Sequence, residues 1–311
     1  MVVQTGNGPK TYPSYLSLSP AELQSRVAQA LRGLSRCTGC ALACLVDRRS
    51  GPSGQCRTGR YARVSSFFAH FGEEPPISGW RGSGTIFFSG CNLRCIYCQN
   101  YDISQSDGGR EVTERQLADS MLRLQELGCH NINLVSPSHV VPQFLAALAL
   151  AVPDGLRLPI VYNSGGYDSL ATLRLLDGIV DIYMPDAKYD DDQIGMRLSG
   201  IPHYAKVNRL VLKEMHRQVG VLRVDKNGVA VRGLLIRHLV LPTDLGGTAG
   251  IVRFIASELS RDTYVNVMSQ YRPCYEASRC EPLRRRITED EYSKAIRAAR
   301  SVGLWRGLPS C

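Results

Sequence analysis

The sequence predicts an α/β fold: a partial six-stranded (βα)6 barrel preceded by a small cysteine-rich N-terminal region. From residue 85 onward, six short apolar runs alternate with helical segments, a pattern typical of a parallel sheet built from βα units. Right-handed connections between parallel strands arrange such units as a partial barrel. Periodicity alone does not separate this barrel from an open doubly wound sheet. In front of the first run, four cysteines fall within twenty residues, which marks a separate small region.

Length and composition set the class of protein. The 311 residues suffice for one large barrel-type domain with a small appendage. A hydrophobic content of 44% and a charged content of 21% are ordinary for a soluble globular protein. No stretch approaches the ~18 apolar residues that a membrane span needs, and the first ten residues lack the apolar core of a secretory signal. We therefore expect a cytoplasmic protein without a membrane partner.

Cysteine count and net charge narrow the chemistry. Eleven cysteines in such a chain indicate metal or redox chemistry rather than disulfides, and seven of them fall in two groups. The net charge of +9 is compatible with an acidic partner protein, an anionic substrate or nucleic acid. A solvated basic surface is the commoner explanation and the preferred one, because the only tight basic run is Arg284-Arg285-Arg286. We do not expect nucleic acid as a partner.

The chain divides at a connector rich in proline and glycine, residues 74–84. Residues 1–74 are predicted to hold an N-terminal arm up to about residue 18, a helix over 20–32 and the cysteine-rich segment. The helix begins with a capping serine, Ser19, a proline and Glu22 three positions on. Residues 75–311 are predicted to form the barrel domain.

Within the barrel domain, strands and helices alternate. The predicted strands are 85–89, 132–136, 159–163, 181–185, 234–241 and 264–268. Thr113 with Gln116 and Thr288 with Glu291 form capping boxes that each open a helix. The other predicted helices are 142–151, 168–176, 204–219 and 250–259.

The first cysteine group has the spacing C-x2-C-x3-C-x11-C and comprises Cys37, Cys40, Cys44 and Cys56. Four thiols at this spacing can close a tetrahedral zinc site or hold an iron–sulfur cluster. Four reduced, buried cysteines without metal are the alternative. A second metal is therefore predicted here, and its identity is open.

The second cysteine group follows the first barrel strand, where Gly90 turns the chain. Cys91, Cys95 and Cys98 have the spacing C-x3-C-x2-C, which brings three sulfurs to one side of a loosely wound segment. Three thiolates suit an iron–sulfur cluster and leave one iron open, as catalytic metal centres require. Chance cysteines or part of a zinc site are the alternatives, but strand, glycine, spacing and the aromatic Tyr97 all agree with a cluster.

This strand–cysteine segment resembles the cluster motif of the radical S-adenosyl-L-methionine (SAM) superfamily. Three longer segments, GTIFFSGCNLRCIYCQN, RGLLIRHLVLP and YVNVMSQY, are similar to pyruvate formate-lyase activating enzyme-like proteins. The likeness extends from about residue 37 to residue 303. The resemblance implies a partial barrel in which Cys91, Cys95 and Cys98 bind a [4Fe-4S] cluster. That cluster binds SAM and cleaves it reductively to a 5′-deoxyadenosyl radical. A one-electron donor such as flavodoxin or ferredoxin supplies the electron.

The resemblance also bears on the substrate and on the N-terminal cysteines. It implies an oxidoreductase that activates a protein substrate, such as a glycyl-radical enzyme. In the proteins that the chain resembles, a similar cysteine-rich segment precedes the radical domain. Residues 39–43 lack the Pro-Arg pair associated with that segment, so the metal there remains zinc or an iron–sulfur cluster.

Candidate cofactor-binding residues lie at the C-terminal ends of the predicted strands, where parallel barrels place their active sites. By resemblance, Tyr97 packs its ring or adjacent backbone against the adenine of SAM. Members of the superfamily commonly present Gly-Gly-Glu at the second strand end, where this chain has Ser136-Pro137-Ser138. The hydroxyls and carbonyls of Ser136 and Ser138 can accept from the methionyl ammonium, or the segment is a simple turn.

The third and fourth strand ends add two further candidate pairs. Asn163 and Ser164, followed by two glycines, either let the backbone approach the ribose or carboxylate or form a tight strand-to-helix turn. Asp186 and Lys188 resemble the Asp-Leu-Lys of the activating enzymes and are the predicted catalytic pair. Side chains two apart on an extended segment point the same way, so we expect an ion pair aimed at the barrel mouth.

The leading hypothesis is thus a radical SAM enzyme of the activating-enzyme type. The first alternative is radical SAM modification of another protein, a peptide or a small metabolite, since a cofactor motif does not fix a substrate. The second alternative is a non-catalytic iron–sulfur or zinc protein that carries electrons or binds nucleic acid.

Overall fold

One sheet organises the molecule in the computed structural model, which describes residues 12–51, 54–106 and 108–309. Its strands are β1 (Ala62–His70), β2 (Ser83–Phe88), β3 (Arg110–Val112), β4 (Ile132–Val135), β5 (Ile160–Asn163), β6 (Ile182–Tyr183), β7 (Arg223–Val224), β8 (Ala230–Leu239) and β9 (Tyr264–Met268). The α-helices are α1 (Pro20–Arg32), α2 (Pro75–Ser78), α3 (Tyr101–Ser104), α4 (Glu114–Glu126), α5 (Val141–Ala151), α6 (Leu170–Leu175), α7 (Asp192–Ser199), α8 (Tyr204–Val219), α9 (Thr248–Glu258) and α10 (Glu289–Ser301).

The six predicted strands form the parallel core of this sheet. Strands β2, β4, β5, β6, β8 and β9 pair in that order, and each pair is parallel. Strand β9 pairs with β8, while the opposite edge continues antiparallel through β1 to β3. The barrel is therefore partial and not closed, which confirms the predicted fold class.

Strands β1, β3 and β7 are not among the six predicted strands, and β1 is the longest of the three. It pairs antiparallel with β2 from Val64 opposite Phe88 to His70 opposite Ser83. Phe67 and Phe68 are exposed on it, at 40% and 43%, so its sequence lacks the regular alternation of a half-buried strand. It lies in the predicted N-terminal region and yet shares the barrel's sheet. The division of the chain at residues 74/75 stays a prediction.

Helix boundaries follow the capping signals closely. The three capping boxes, at Ser19, Thr113 and Thr288, open α1, α4 and α10. Helices α5, α6, α8 and α9 correspond to the other predicted helices. Helix α7 was not predicted, although Asp191 caps its first turn and Gly200, with φ 65°, ends it. The last residue of this helix, Ser199, contacts the site described below.

The main apolar core lies between the sheet and the helices on its outer side. Helix α5 is buried almost all round, between α1 and α4, and its Phe144 and Leu148 are fully buried. Burying one such side chain contributes about 1.5–3 kcal/mol, so this layer fixes the strands whose ends carry the site. Among the described residues, no helix combines the length and apolar character needed to cross a membrane.

The described part of the N-terminal arm packs on the barrel. The Tyr15 hydroxyl donates to the Leu158 carbonyl at 2.9 Å, and Ser14 donates through both N and Oγ to Asp181 Oδ1, at 2.9 and 2.7 Å. Residues 1–11 of the predicted arm lie outside the described residues.

Candidate active site

A cavity of ≈240 Å³ opens at the C-terminal ends of the parallel strands. Most of the predicted site residues line it: Cys91, Cys95, Tyr97, Cys98, Ser136, Asn163, Ser164, Asp186 and Lys188. Ser138 does not line it; this residue is 2% exposed and lies in the turn behind β4. The structure therefore brings both predicted catalytic residues and three cluster cysteines to one cavity, and the role of Ser138 stays a prediction.

The cysteine loop leaves β2 through a turn that requires glycine. Gly90 has φ 79°, and a Cβ there would lie 2.5 Å from the carbonyl oxygen of Cys56. The loop then presents Cys91, Cys95 and Cys98 to the cavity. Burial raises the pKa of Cys91 to about 12 and also raises that of Cys95, while Lys188 opposes both shifts. Free thiolates are thus costly here, and a metal that stabilises them suits the site.

Each of the three sulfurs has a hydrogen-bonding partner that can donate to it. The Leu93 N–H lies 3.4 Å from Cys91 Sγ. Ser199 Oγ at the end of α7 lies 2.9 Å from Cys95 Sγ, and Ser104 Oγ at the end of α3 lies 3.1 Å from Cys98 Sγ. Donors at the sulfurs are the environment that cluster thiolates have in proteins.

The fit to a cluster rests on this lining and these donors. In the part of the chain that the structure describes, no group of three or more His, Cys, Asp or Glu side chains is arranged to hold a single metal ion. A cluster distributes its cysteine ligands over several irons. Three thiols that line one cavity, each with a hydrogen-bonding partner, fit such a cluster.

Tyr97 continues the hydrogen-bond chain away from Cys95. Its hydroxyl lies 2.6 Å from the Tyr189 hydroxyl, which lies 2.7 Å from Ser199 Oγ. The ring is 5% exposed and packs edge-on against Tyr189 and Tyr271, with ring centroids 6.4 and 6.1 Å apart. The Tyr97 side chain is thus held rigidly at the cavity wall.

Charged side chains form a network at the floor of the cavity. Lys188 Nζ donates to Asp186 Oδ2 at 2.6 Å, and Arg237 Nε donates to Asp186 Oδ1 at 3.0 Å. Arg237 also donates to Asn163 Oδ1 at 2.7 Å and approaches Glu73 Oε2 at 3.8 Å. The ion pair predicted between Asp186 and Lys188 is therefore present, and Arg237 extends it into the barrel.

Burial and pairing act in opposite directions on these groups. Burial alone would raise the pKa of Asp186, but Arg237 and Lys188 outweigh it and hold that pKa below its ordinary value. Burial likewise opposes the charge of Lys188, yet Asp186 and Cys95 raise its pKa. Both groups are therefore charged at neutral pH. Lys188 presents a fixed cation beside the cysteines.

At the end of β5, the third parallel strand, the polar groups form hydrogen bonds with other groups of the protein. Ser164 Oγ donates to Asp168 Oδ2 at 2.8 Å and accepts from the Gly166 N–H at 3.2 Å. At Gly166, with φ 70°, a Cβ would lie 2.2 Å from the Asp186 carbonyl oxygen. Ser136 adopts φ 58° and donates its N–H to the Asn163 carbonyl at 2.9 Å. These contacts hold neighbouring strand ends at fixed distances from one another.

Several residues that contact the site were not among the site residues predicted from the sequence. Arg237 carried a signal, since it lies in the RGLLIRHLVLP segment on a predicted strand that ends at the mouth. Ser199, Tyr189 and Glu73 carried none, because they reach the site from a helix end, a loop and the opposite end of the barrel. Only the packing of these elements brings them together.

The four N-terminal cysteines line a different, smaller cavity. Cys37, Cys40, Cys44 and Cys56 surround it together with Arg48, Gln55, Asn92 and His139. Asn92 belongs to the Cys91–Cys98 loop, so the two cysteine groups lie on neighbouring parts of the structure.

Comparison with known proteins identifies the class. The Radical SAM superfamily model matches residues 85–219. Uncharacterized protein MJ0674 of Methanocaldococcus jannaschii is 31% identical over 297 residues, which is 92% of this chain and 81% of that protein. The chain therefore belongs to the radical SAM superfamily. It is a radical SAM enzyme, and this class implies a [4Fe-4S] cluster and SAM as cofactors.

Two further comparisons are partial. The pyruvate formate-lyase-activating enzyme of Clostridium pasteurianum is 28% identical over 171 residues, which is 51% of this chain and 61% of that enzyme. Among solved structures, a radical SAM methyltransferase from Sphaerobacter thermophilus is 13% identical and has a TM-score of 0.43, over 71% of this chain and 64% of that one.

Proposed function

We propose that the ≈240 Å³ cavity is the place where this radical SAM enzyme generates and uses its radical. The observation that carries the proposal is that Cys91, Cys95 and Cys98 share this cavity with the half-buried Asp186–Lys188 pair. When bound, the cluster and SAM supply a 5′-deoxyadenosyl radical that abstracts a hydrogen atom from the substrate. The protein supplies orientation and an enclosed site that excludes water.

Roles for the lining residues follow from their chemistry. The Lys188 ammonium is a fixed cation beside the cysteines and suits the carboxylate of SAM. Asp186 holds Lys188 and Arg237 in place. The Ser136 carbonyl is an acceptor for the methionyl ammonium, and Tyr97 presents its aromatic ring and backbone to the adenine. Asn163 and the backbone at Ser164 would contact the ribose or the carboxylate of SAM.

For the substrate, we propose a protein whose glycine becomes a radical, which would make the enzyme an oxidoreductase of the activating type. The partial likeness to the Clostridium pasteurianum enzyme supports this choice. Modification of another protein, a peptide or a metabolite is the alternative within the class. The electron donor we propose is a carrier such as flavodoxin or ferredoxin, and the setting a reducing cytoplasm. We further propose that the N-terminal cysteines hold a second metal.

The first experiment measures SAM cleavage. The protein is reconstituted with iron and sulfide without oxygen, mixed with SAM and dithionite, and assayed for 5′-deoxyadenosine. We expect product from the wild type and from Cys129→Ala, a buried cysteine outside both groups, and none from Cys95→Ala. No product from cluster-loaded wild type would overturn the proposal and favour a non-catalytic binding protein.

The substrate is tested separately. A glycyl-radical enzyme is added to the same mixture, and the glycyl radical is sought by electron paramagnetic resonance (EPR). SAM cleavage without a glycyl signal would direct the search to the other substrates.

A further inference from the structure

We propose that Cys37, Cys40, Cys44 and Cys56 bind a thiolate-held metal centre, and that this centre fixes the N-terminal segment against the Cys91–Cys98 loop. The four cysteines come from two turns separated by the 45–55 segment, and all four line one small cavity. Among the described residues no three such thiols already surround a single ion, so binding zinc or an iron–sulfur cluster would draw the four together. The site lies outside the cavity proposed for SAM, so the proposal stands independently of the radical chemistry.

The backbone around these cysteines is held in an unusual conformation. Ala43 (φ 43°) and Leu45 (φ 59°) flank Cys44, and Arg57 (φ 53°) follows Cys56. Residues with a Cβ rarely occupy the left-handed region, and they persist there only where the surroundings impose it. The Cys37 and Leu45 amides are bonded to the Val46 and Cys37 carbonyls, both at 3.0 Å. Ligation of all four sulfurs to one centre would account for this strain.

A buried cation, the Arg48 guanidinium, lies beside the cavity, and a negatively charged partner would stabilise it. Arg48 is 1% exposed and donates to the carbonyls of Thr58 at 2.7 Å and Gly59 at 3.2 Å. Its Nη1 lies 3.8 Å from Cys37 Sγ, and it forms no ion pair with a carboxylate among the described residues. An unpaired buried charge is costly. Four thiolates on a divalent metal or cluster carry net negative charge, which would balance the guanidinium.

His139 contributes a further unsatisfied group from the barrel side of the cavity. The residue is 2% exposed, and its Nε2 lies 3.0 Å from the Ser89 carbonyl oxygen. Because a carbonyl only accepts, Nε2 carries the proton and Nδ1 presents a lone pair. This Nδ1 is buried without a hydrogen-bond partner. His139 lines the same cavity as the four cysteines, and an unprotonated imidazole nitrogen is a common metal ligand.

Direct contacts connect this region to the loop of the radical cluster. Gln55 Nε2 donates to the Asn92 carbonyl at 3.2 Å, and Arg94 Nη2 donates to the Gln55 carbonyl at 2.6 Å. The Cys56 carbonyl oxygen lies so close to Gly90 that only glycine fits there. A metal that fixes Cys56 therefore also fixes the turn at which the Cys91–Cys98 loop begins.

Metal analysis tests the proposal. Reconstituted wild type is analysed for iron, zinc and sulfide, and so is a variant in which Cys91, Cys95 and Cys98 are all serine. We expect the triple variant to lose SAM cleavage and to keep either zinc or a second cluster. The Cys37→Ser/Cys40→Ser variant should lose that remaining metal, whereas Cys129→Ser/Cys280→Ser should keep it.

The outcomes separate the two proposals. Zinc in the triple variant identifies a zinc centre, and iron with sulfide identifies a second cluster. If the wild type binds only about four irons and no zinc, and the folded triple variant binds no metal, the N-terminal centre does not exist. That result leaves SAM cleavage by the wild type unaffected. The metal content of the wild type tests the proposal even if a cysteine variant fails to fold.

Discussion

Replacing Ser199 with alanine removes the hydroxyl that lies 2.9 Å from Cys95 Sγ. The residue is fully buried, and the second partner of its hydroxyl is Tyr189, at 2.7 Å. When Cys95 is a thiolate ligand, its sulfur only accepts, so Ser199 must donate to it. Tyr189 then donates to Ser199, and Tyr97 donates to Tyr189. The chain of hydroxyls is thereby polarised toward the cluster.

The size of the effect follows from the charge on the sulfur. A hydrogen bond to an ionised group contributes about 1.5–3 kcal/mol, against about 1 kcal/mol for a neutral pair. An added electron makes the cluster and its thiolates more negative, so the bond stabilises the reduced state more, by about 1 kcal/mol. For a one-electron couple, about 1.4 kcal/mol corresponds to 59 mV. Ser199→Ala should therefore lower the midpoint potential by about 40 mV.

The assay is a redox titration of the reconstituted protein, followed by the EPR signal of the reduced cluster. Ser104→Ala, which removes a donor 3.1 Å from Cys98 Sγ, should also lower the potential, and Tyr97→Phe should lower it less. Ser301→Ala, at an exposed helix end, is the matched control. An unchanged potential in Ser199→Ala with full iron content would refute the reasoning, as would a larger shift in Tyr97→Phe.

Four further predictions concern Asp186 and the residues around it. Asp186→Asn leaves the largely buried Lys188 without its carboxylate and leaves Arg237 only the more distant Glu73, so it should cost about 3 kcal/mol in urea unfolding; an unchanged midpoint would contradict the network. Because the folded pKa of Asp186 lies below the unfolded value, its contribution should be present above about pH 4 and lost as pH falls further, in wild type but not in Asp186→Asn. Gly166→Ala puts a Cβ 2.2 Å from the Asp186 carbonyl and should lower stability by about 1–3 kcal/mol; a stable variant would show that the turn can relax. Lys188→Ala should weaken anaerobic SAM binding about tenfold or more in equilibrium dialysis, and equal affinity would remove Lys188 from the SAM contacts.

Local signals in the sequence were sufficient for most of the fold. Capping boxes act within four residues, so Ser19, Thr113 and Thr288 located helix starts without any tertiary information. The parallel core followed from apolar runs that must be buried on both faces. Strand β1 was not predicted because its exposed residues break the alternation of a half-buried strand, and only its pairing with β2 and β3 makes it a strand.

The same distinction between local signals and long-range contacts applies to the site. The sequence by itself predicted that Cys91, Cys95 and Cys98 face one point and that Asp186 pairs with Lys188, because both depend on short spacings within one segment. Only the tertiary structure decided that Ser199 reaches Cys95, that Arg237 joins Asp186, and that four N-terminal cysteines lie beside the same loop. Those contacts join residues far apart in the chain, and they exist because the helices and strands that carry them pack into one barrel.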